Sequence, residues 1–95
     1  MPADTESNSV KPQPWFIYIL RCSDNSLYTG ITLDVNKRLD QHNGVIKNGA
    51  KYTHARRPVE LVYQETSNSR SAACKREHAI KALSKTEKES LILAA

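Results

Sequence analysis

Cysteine is scarce in this chain. Cys22 and Cys74 are its only thiols, they stand far apart, and neither belongs to a CxxC pair. That excludes a disulfide framework. No His or Cys pair has ligand spacing, so a zinc site is not expected and the two thiols read as buried or idle. Aromatic residues make up 6% of the 95 positions and the hydrophobic fraction is 39%. A single small domain with a modest core follows, assembled from a handful of apolar runs. No apolar run approaches the ~20 residues that cross a bilayer. The opening stretch MPADTESNSVKPQP lacks a basic region followed by an apolar one, the pattern of a signal peptide. A soluble, cytoplasmic chain without a membrane partner is therefore expected.

Acidic residues are missing from one long window. Between Asp40 and Glu60 the chain reads QHNGVIKNGAKYTHARRPV, with Lys47, Lys51, Arg56 and Arg57 and no carboxylate. Those four cations equal the net charge of the whole chain, +4. Tyr52 and His54 are interleaved with them, and cations mixed with planar rings suit phosphates and bases. An ordinary solvated basic loop is the plain alternative. Lys51, Arg56 and Arg57 are expected to contact a phosphate backbone, with Tyr52 among the nucleic-acid-binding residues.

The elements can be placed along the chain. Residues 1–13 are polar, contain two prolines and show no periodicity, so a disordered tail is expected. WFIYILRC (15–22), LYTGIT (27–32) and VELVYQET (59–66) are rich in β-branched and aromatic residues and read as strands. The first two flank a polar turn and make a hairpin. In DVNKRLDQHNG, Asp34 can cap a helix and Gly44 can end it in the left-handed conformation. RSAACKREHAIKALSK (70–85) reads as a long helix with Ser69 or Ser71 as cap. Thr86 and Glu89 stand at capping-box spacing and open a terminal helix. The order β-β-α-β-α-α predicts an α+β domain, a small antiparallel sheet of three strands flanked by helices, over residues 14–95.

Three polar residues sit awkwardly on these helices. Val35, Leu39 and His42 share one helical face, and Arg38 lies one turn back from His42. In the long helix Ala73, Glu77 and Ile80 share a stripe that borders the apolar arc of Ala72, Ala79 and Leu83, with Arg76 falling inside it. Read alone, His42 is a hydrogen-bonded core histidine, Arg38 a surface partner of Asp34, and Glu77 a partner of Lys81. The functional alternative for Glu77 is a divalent cation on its way to a phosphate.

Taken together these residues resemble a family. Tyr18 closing FIY, YTG at 28–30, T-x-D-V-x-x-R-x-x-x-H at 32–42 and a helical glutamate are similar to the GIY-YIG nuclease superfamily, in the order and spacing of its small stand-alone members. The resemblance covers roughly residues 14–93. It implies a three-stranded antiparallel sheet flanked by helices and divalent-metal-dependent hydrolysis of a nucleic-acid phosphodiester. Residue by residue, Tyr18 and Tyr28 match the two tripeptide tyrosines and Gly30 matches the second tripeptide's glycine, where a side chain would obstruct close approach. Arg38 matches the helical arginine, His42 the histidine one turn later, and Glu77 the metal-binding glutamate. The implied cofactor is Mg²⁺ held by Glu77 against a phosphate oxygen, with Arg38 offsetting charge on phosphorus oxygens. A free tyrosine titrates near about 10, so proton removal from water needs help, for instance relay through His42. Tyr28 is taken as the base or water-positioning group and Tyr18 as its support.

The sequence departs from the family pattern in places. Phe16 stands where the first tripeptide has Gly and Thr29 where the second has Ile, and neither position supplies a reactive group. No Asn follows Asn68, although many members carry a late Asn that positions the phosphate. Lys81, Ser84 and Lys85 are the candidates for its place. The expected activity is an endonuclease of low sequence specificity acting on nucleic acid, DNA above RNA. A module that keeps the fold and binds nucleic acid without cutting is the alternative.

Strand parity decides whether the two tyrosines share a site. An even loop between the first two strands sends Tyr18 and Tyr28 to opposite faces of the sheet. An odd loop, Asp24-Asn25-Ser26, sets Cys22 opposite Tyr28 and Leu20 opposite Gly30, with both phenols on one face. Asn25 tolerates the left-handed conformation such loops need. An odd loop is therefore expected, with both phenols directed to the side where Arg38 and Glu77 converge.

Overall fold

The structure is a computed structural model that describes residues 14–95. The tail expected at 1–13 lies outside the described residues. Seven elements follow in order: β1 (Trp15–Arg21), β2 (Leu27–Thr32), α1 (Val35–His42), α2 (Lys51–His54), β3 (Glu60–Ser67), α3 (Arg70–Lys81) and α4 (Lys85–Ala94). The sheet has the order β2-β1-β3, with β1 in the centre and antiparallel to both neighbours. This is the expected α+β architecture, with one short helix added inside the acid-free window.

The hairpin turn is odd, but centred one residue earlier than the spacing suggested. Arg21 pairs with Leu27, Leu20 with Tyr28 and Tyr18 with Gly30. Cys22 N–H bonds the Ser26 carbonyl at 2.9 Å, so Ser23-Asp24-Asn25 is the loop, with Asn25 at φ 68°. The Asp24 carboxylate holds it closed by accepting from the Ser26 N–H and hydroxyl. Local side-chain bonding of this kind, absent from a count of apolar positions, set the centre. The parity survives the shift, so Tyr18, Leu20, Tyr28 and Gly30 share one face.

Each face of β1 has its own cover. Ile17 and Ile19 are fully buried under Ala73 and Ile80 of α3, with Leu91 and Ile92 of α4 beside them. Tyr18 and Leu20 point the other way and join Cys22, Val59, Leu61, Tyr28 and Leu39 of α1. Opposite the Ile19–Leu20 step β3 carries one extra residue, since Ile19 pairs with Tyr63 and Leu20 with Leu61. That bulge lets Val62 and Tyr63 both pack toward the Ile17–Ile19 side.

Helix ends explain the remaining boundaries. Asp34 caps α1 by accepting from the Lys37 N–H at 3.0 Å, and Gly44 leaves the helix at φ +80°. Ser69, not Ser71, caps α3 through the Ala72 N–H. The long helix is shorter than 70–85. It stops at Lys81 because Ser84 begins a reciprocal box with Glu87, not Thr86 with Glu89. The S/T-x-x-E spacing occurs twice here, and docking chose between them: Glu89 is drawn off by a bidentate pair with Arg21, both distances 2.7 Å. On α3 the buried stripe is Ala73 and Ile80, while Ala72 and Ala79 are exposed. Arg76 leaves the apolar arc to bind Glu65 of β3 at 2.8 Å.

Candidate active site

The site is built on the Tyr18 face of the sheet. Tyr18 and Gly30 are directly opposed, and the phenol of Tyr18 lies across the glycine. A Cβ on Gly30 would stand 2.6 Å from Tyr18 Cζ and closer still to its oxygen. The close approach that a side chain here would obstruct is thus that of the Tyr18 ring itself.

His42 ends α1 beneath this ring and is fully buried. Its Nε2 is 2.8 Å from the Tyr18 hydroxyl and its Nδ1 is 2.9 Å from Thr53 Oγ1. The Thr53 hydroxyl also donates to the Ala50 carbonyl at 2.9 Å. Burial, with the charges of Arg38 and Arg57 acting in the same direction, pushes the His42 pKa down to about 4. The ring is therefore neutral at physiological pH. Burial pushes Tyr18 up to about 12, against the pull of Arg38 and with Tyr28 and Glu77 adding to the rise. Both groups thus rest uncharged.

Tyr28 belongs to the same cluster but is wired differently. Its ring lies 6.4 Å from Tyr18, 5.0 Å from His42 and, stacked, 5.7 Å from Tyr52 of α2. Among the described residues no hydrogen bond reaches its hydroxyl, so the histidine contact falls to Tyr18 and not to the tyrosine expected to act as base.

Arg38 reaches the cluster from α1. One of its terminal nitrogens donates to Gln41 Oε1 at 2.8 Å and to the Asn48 carbonyl at 2.7 Å. Among the described residues no carboxylate pairs with it, because Asp34 is occupied as the α1 cap. Gln41, Asn48 and Thr53 are the partners that sequence reasoning missed. Gln41 stood in view, three residues after Arg38 and so its neighbour on the helix surface. Thr53 gave no signal, since its burial depends on α2 folding over His42.

Glu77 approaches from the other layer. It sits on α3, on the stripe that faces Ile17 and Ile19, and its field raises the Tyr18 pKa without a hydrogen bond between them. The two tyrosines share a face with α1, which carries Arg38, whereas α3, which carries Glu77, packs on the opposite face, so the expected convergence of Arg38 and Glu77 on the phenol side does not occur within one layer. Its carboxylate pairs with Lys81 at 3.1 Å, and the lysine is the more exposed partner. Among the described residues no three His, Cys, Asp or Glu side chains gather as a metal cage. A single half-buried carboxylate fits a hard cation that keeps most of its waters and takes its other ligands from phosphate. Of the candidates for the missing Asn, Ser84 is spent as the α4 cap and Lys85 donates to the Asn25 carbonyl at 2.7 Å. Only Lys81 stands beside Glu77.

The basic window is more structural than its charge suggested. Arg56 lies 4.0 Å over the Tyr52 ring and pairs with Asp24 at 3.1 Å. Arg57 donates through Nε to the His42 carbonyl at 2.7 Å, which satisfies the end of α1. Lys51 and His54 are exposed.

Comparisons with known proteins bear on the family and the fold. Residues 14–90 match the family model described as the GIY-YIG catalytic domain. The chain belongs to that family. Over 81 residues it is 54% identical to a UPF0213 protein of Desulfotalea psychrophila, covering 85% of this chain and 73% of that one. A UPF0213 protein of Staphylococcus epidermidis is 53% identical over 77 residues, 81% of this chain and 92% of its own. Among solved structures, a UPF0213 protein of Bacillus halodurans aligns with a TM-score of 0.55 at 40% identity, covering 85% of this chain and 84% of that one. No helix among the described residues is long and apolar enough to cross a membrane.

Proposed function

We propose that the protein is a divalent-metal-dependent endonuclease that hydrolyses nucleic-acid phosphodiesters, DNA foremost, with low sequence specificity. The observation that carries this reading is the 2.8 Å contact between the Tyr18 hydroxyl and His42 Nε2, inside a cluster that also holds Arg38. With the imidazole proton assigned to Nδ1, His42 donates to Thr53 Oγ1 and Nε2 is free to accept from Tyr18. Thr53 in turn donates its hydroxyl hydrogen bond to the Ala50 carbonyl, which leaves its oxygen to accept from Nδ1. Tyr18 then takes a proton from the attacking water while handing its own to the histidine. A tyrosine raised to about 12 is no resting base, and this relay removes the need for a tyrosinate. A phosphate on Arg38 offsets the positive charge that helps depress His42, which moves the ring toward accepting that proton. Tyr28 orients the water across the Tyr18 ring. Arg38, preset by Gln41 and Asn48, meets the phosphate with its remaining donors. Glu77 would hold the cation, Mg²⁺ foremost, which supplies charge stabilisation at phosphorus oxygens. Lys81 would leave Glu77 for a phosphate oxygen. Lys51 and the outer donors of Arg56 and Arg57 track the backbone.

The alternative, a binding module that does not cut, draws on the Glu77–Lys81 pair, which already gives the carboxylate a partner. Nicking assays on DNA and RNA flaps, junctions and single strands, with and without Mg²⁺, separate the two. Glu77→Gln keeps the shape and removes the ligand charge, so cleavage should vanish while binding persists. Its stability should fall by under roughly 1 kcal/mol, because the pair is an i, i+4 helix pair whose lysine stands in solvent. Undiminished cutting by this variant removes Glu77 from the mechanism.

A further inference from the structure

Two adjacent apolar side chains stand in solvent on the loop between α1 and α2. Val45 is 71% exposed and Ile46 40%. The loop is not slack. The backbone N–H groups of Val45 and Ile46 donate to the Asp40 carbonyl at 2.9 and 3.4 Å, and that of Gly44 to the Gln41 carbonyl at 3.1 Å. Gly44 and Asn48 bracket the tip, both with φ of 80°. A connection of this kind is ordinarily filled with polar residues. Here the backbone is fixed so as to hold two β-branched side chains outward.

The surroundings say what could cover them. Lys47 follows the pair directly and Lys51 opens α2 just beyond the tip, both exposed, and the Arg57 guanidinium lies against Gly44. The whole window from Gln41 to Val59 has no carboxylate. A second copy of this chain would bring the same positive charge, so self-association is opposed. A polyanion with an apolar interior that can be opened answers both features: phosphates for the lysines, an unstacked base step for the apolar pair. The loop also leads into the candidate site at both ends. His42 precedes it, Tyr52 follows it, and the Asn48 carbonyl within it accepts from Arg38.

We propose that Val45 and Ile46 form an apolar wedge that enters an opened base step of the bound nucleic acid, with Lys47 and Lys51 on the flanking phosphates. The inference rests on the nucleic-acid reading of the candidate site. It names the substrate class more closely: strands whose stacking is already interrupted, as at flaps, branches or gaps, where opening costs least. It also gives the loop a second task. Seating the tip holds Asn48 in place, and Asn48 holds the guanidinium of Arg38.

The test uses a flap duplex with 2-aminopurine at the branch and a fully paired duplex of the same sequence, in Mg²⁺-free buffer so that cleavage does not enter. The parent should bind the flap in preference and raise the fluorescence of the probe. The double variant Val45→Ser, Ile46→Ser should keep its fold by circular dichroism, lose the fluorescence rise and bind the flap roughly tenfold more weakly, with an unchanged salt slope. Lys47→Gln with Lys51→Gln should lower the salt slope and keep the rise. A serine variant equal to the parent in affinity and fluorescence overturns the wedge. So does a variant whose sole change is lost self-association in sedimentation, which assigns the tip to a second copy. A parent that unstacks the probe but never cuts with Mg²⁺ present defeats the nuclease reading and leaves the wedge. A parent that cuts without unstacking does the reverse, and one that binds no nucleic acid overturns both.

Discussion

His42 should make the stability of this fold depend on pH in a direction and size that can be worked out. The folded ring holds off its proton until about pH 4, whereas the unfolded chain takes it up at the ordinary 6.5. Between those values the unfolded state binds more protons, so stability rises with pH there and levels off above about 6.5. At about 1.4 kcal/mol per pH unit, acidification from neutrality to about pH 4 removes about 3 kcal/mol through this one residue. That is a large share of the roughly 5–15 kcal/mol that holds a small domain together. The cause is geometric: the ring is fully buried, bonded at Nε2 to Tyr18 and at Nδ1 to Thr53, with Arg38 and Arg57 adding positive charge nearby. Trp15 is the only tryptophan and packs against the core, so its fluorescence follows urea unfolding. Unfolding curves across this pH range for the parent and His42→Gln isolate the effect from carboxylates that titrate in both proteins. The variant should start lower at neutral pH, by about 2 kcal/mol for the buried bonds it loses. Its profile should then be flatter than the parent's by about 3 kcal/mol. Parallel profiles would refute the assignment of a buried, neutral imidazole.

Other expectations follow from the same contacts. Gly30→Ala puts a Cβ into the Tyr18 ring, so it should cost about 1–3 kcal/mol in thermal melts and reduce cleavage by moving the phenol off His42; a variant that melts and cuts like the parent would show that the ring can yield. Gln41→Ala frees one side of Arg38, and single-turnover rates should drop while substrate affinity and melting temperature hardly change. Lys51→Gln, Arg56→Gln and Arg57→Gln should each weaken binding about equally across sequences and reduce the log–log salt slope by roughly one per phosphate contact. Of the three, only Arg57→Gln should also lower the melting temperature noticeably, because it uncaps the His42 carbonyl.

Much of the fold was legible because it depends on local pattern. The β-branched runs of β1 and β2, the Asp34 cap, the Gly44 exit and the Val35-Leu39-His42 stripe are short-range facts, and each appears in the structure where the spacing put it. Even the shared face of Tyr18 and Tyr28 was a matter of parity, which a shift of the turn by one residue on each side leaves intact. The resemblance in Tyr18, Tyr28, Arg38, His42 and Glu77 likewise needed only residue order. What stayed hidden depends on elements meeting. Helix α2 exists inside a window that reads as loop, because Thr53 and Tyr52 dock on His42 and Tyr28. The box that opens α4 is Ser84–Glu87, because Arg21 of the distant hairpin claims Glu89. The histidine's partner is Tyr18, and Arg38 is oriented by Gln41 and Asn48. The sequence by itself determined which side chains are available and which face of its own element each must take, since helical and strand periods are properties of the backbone. Only the tertiary structure decided which of them touch, because a hydrogen bond of 2.8 Å is selected by packing between segments that one-dimensional spacing does not bring together.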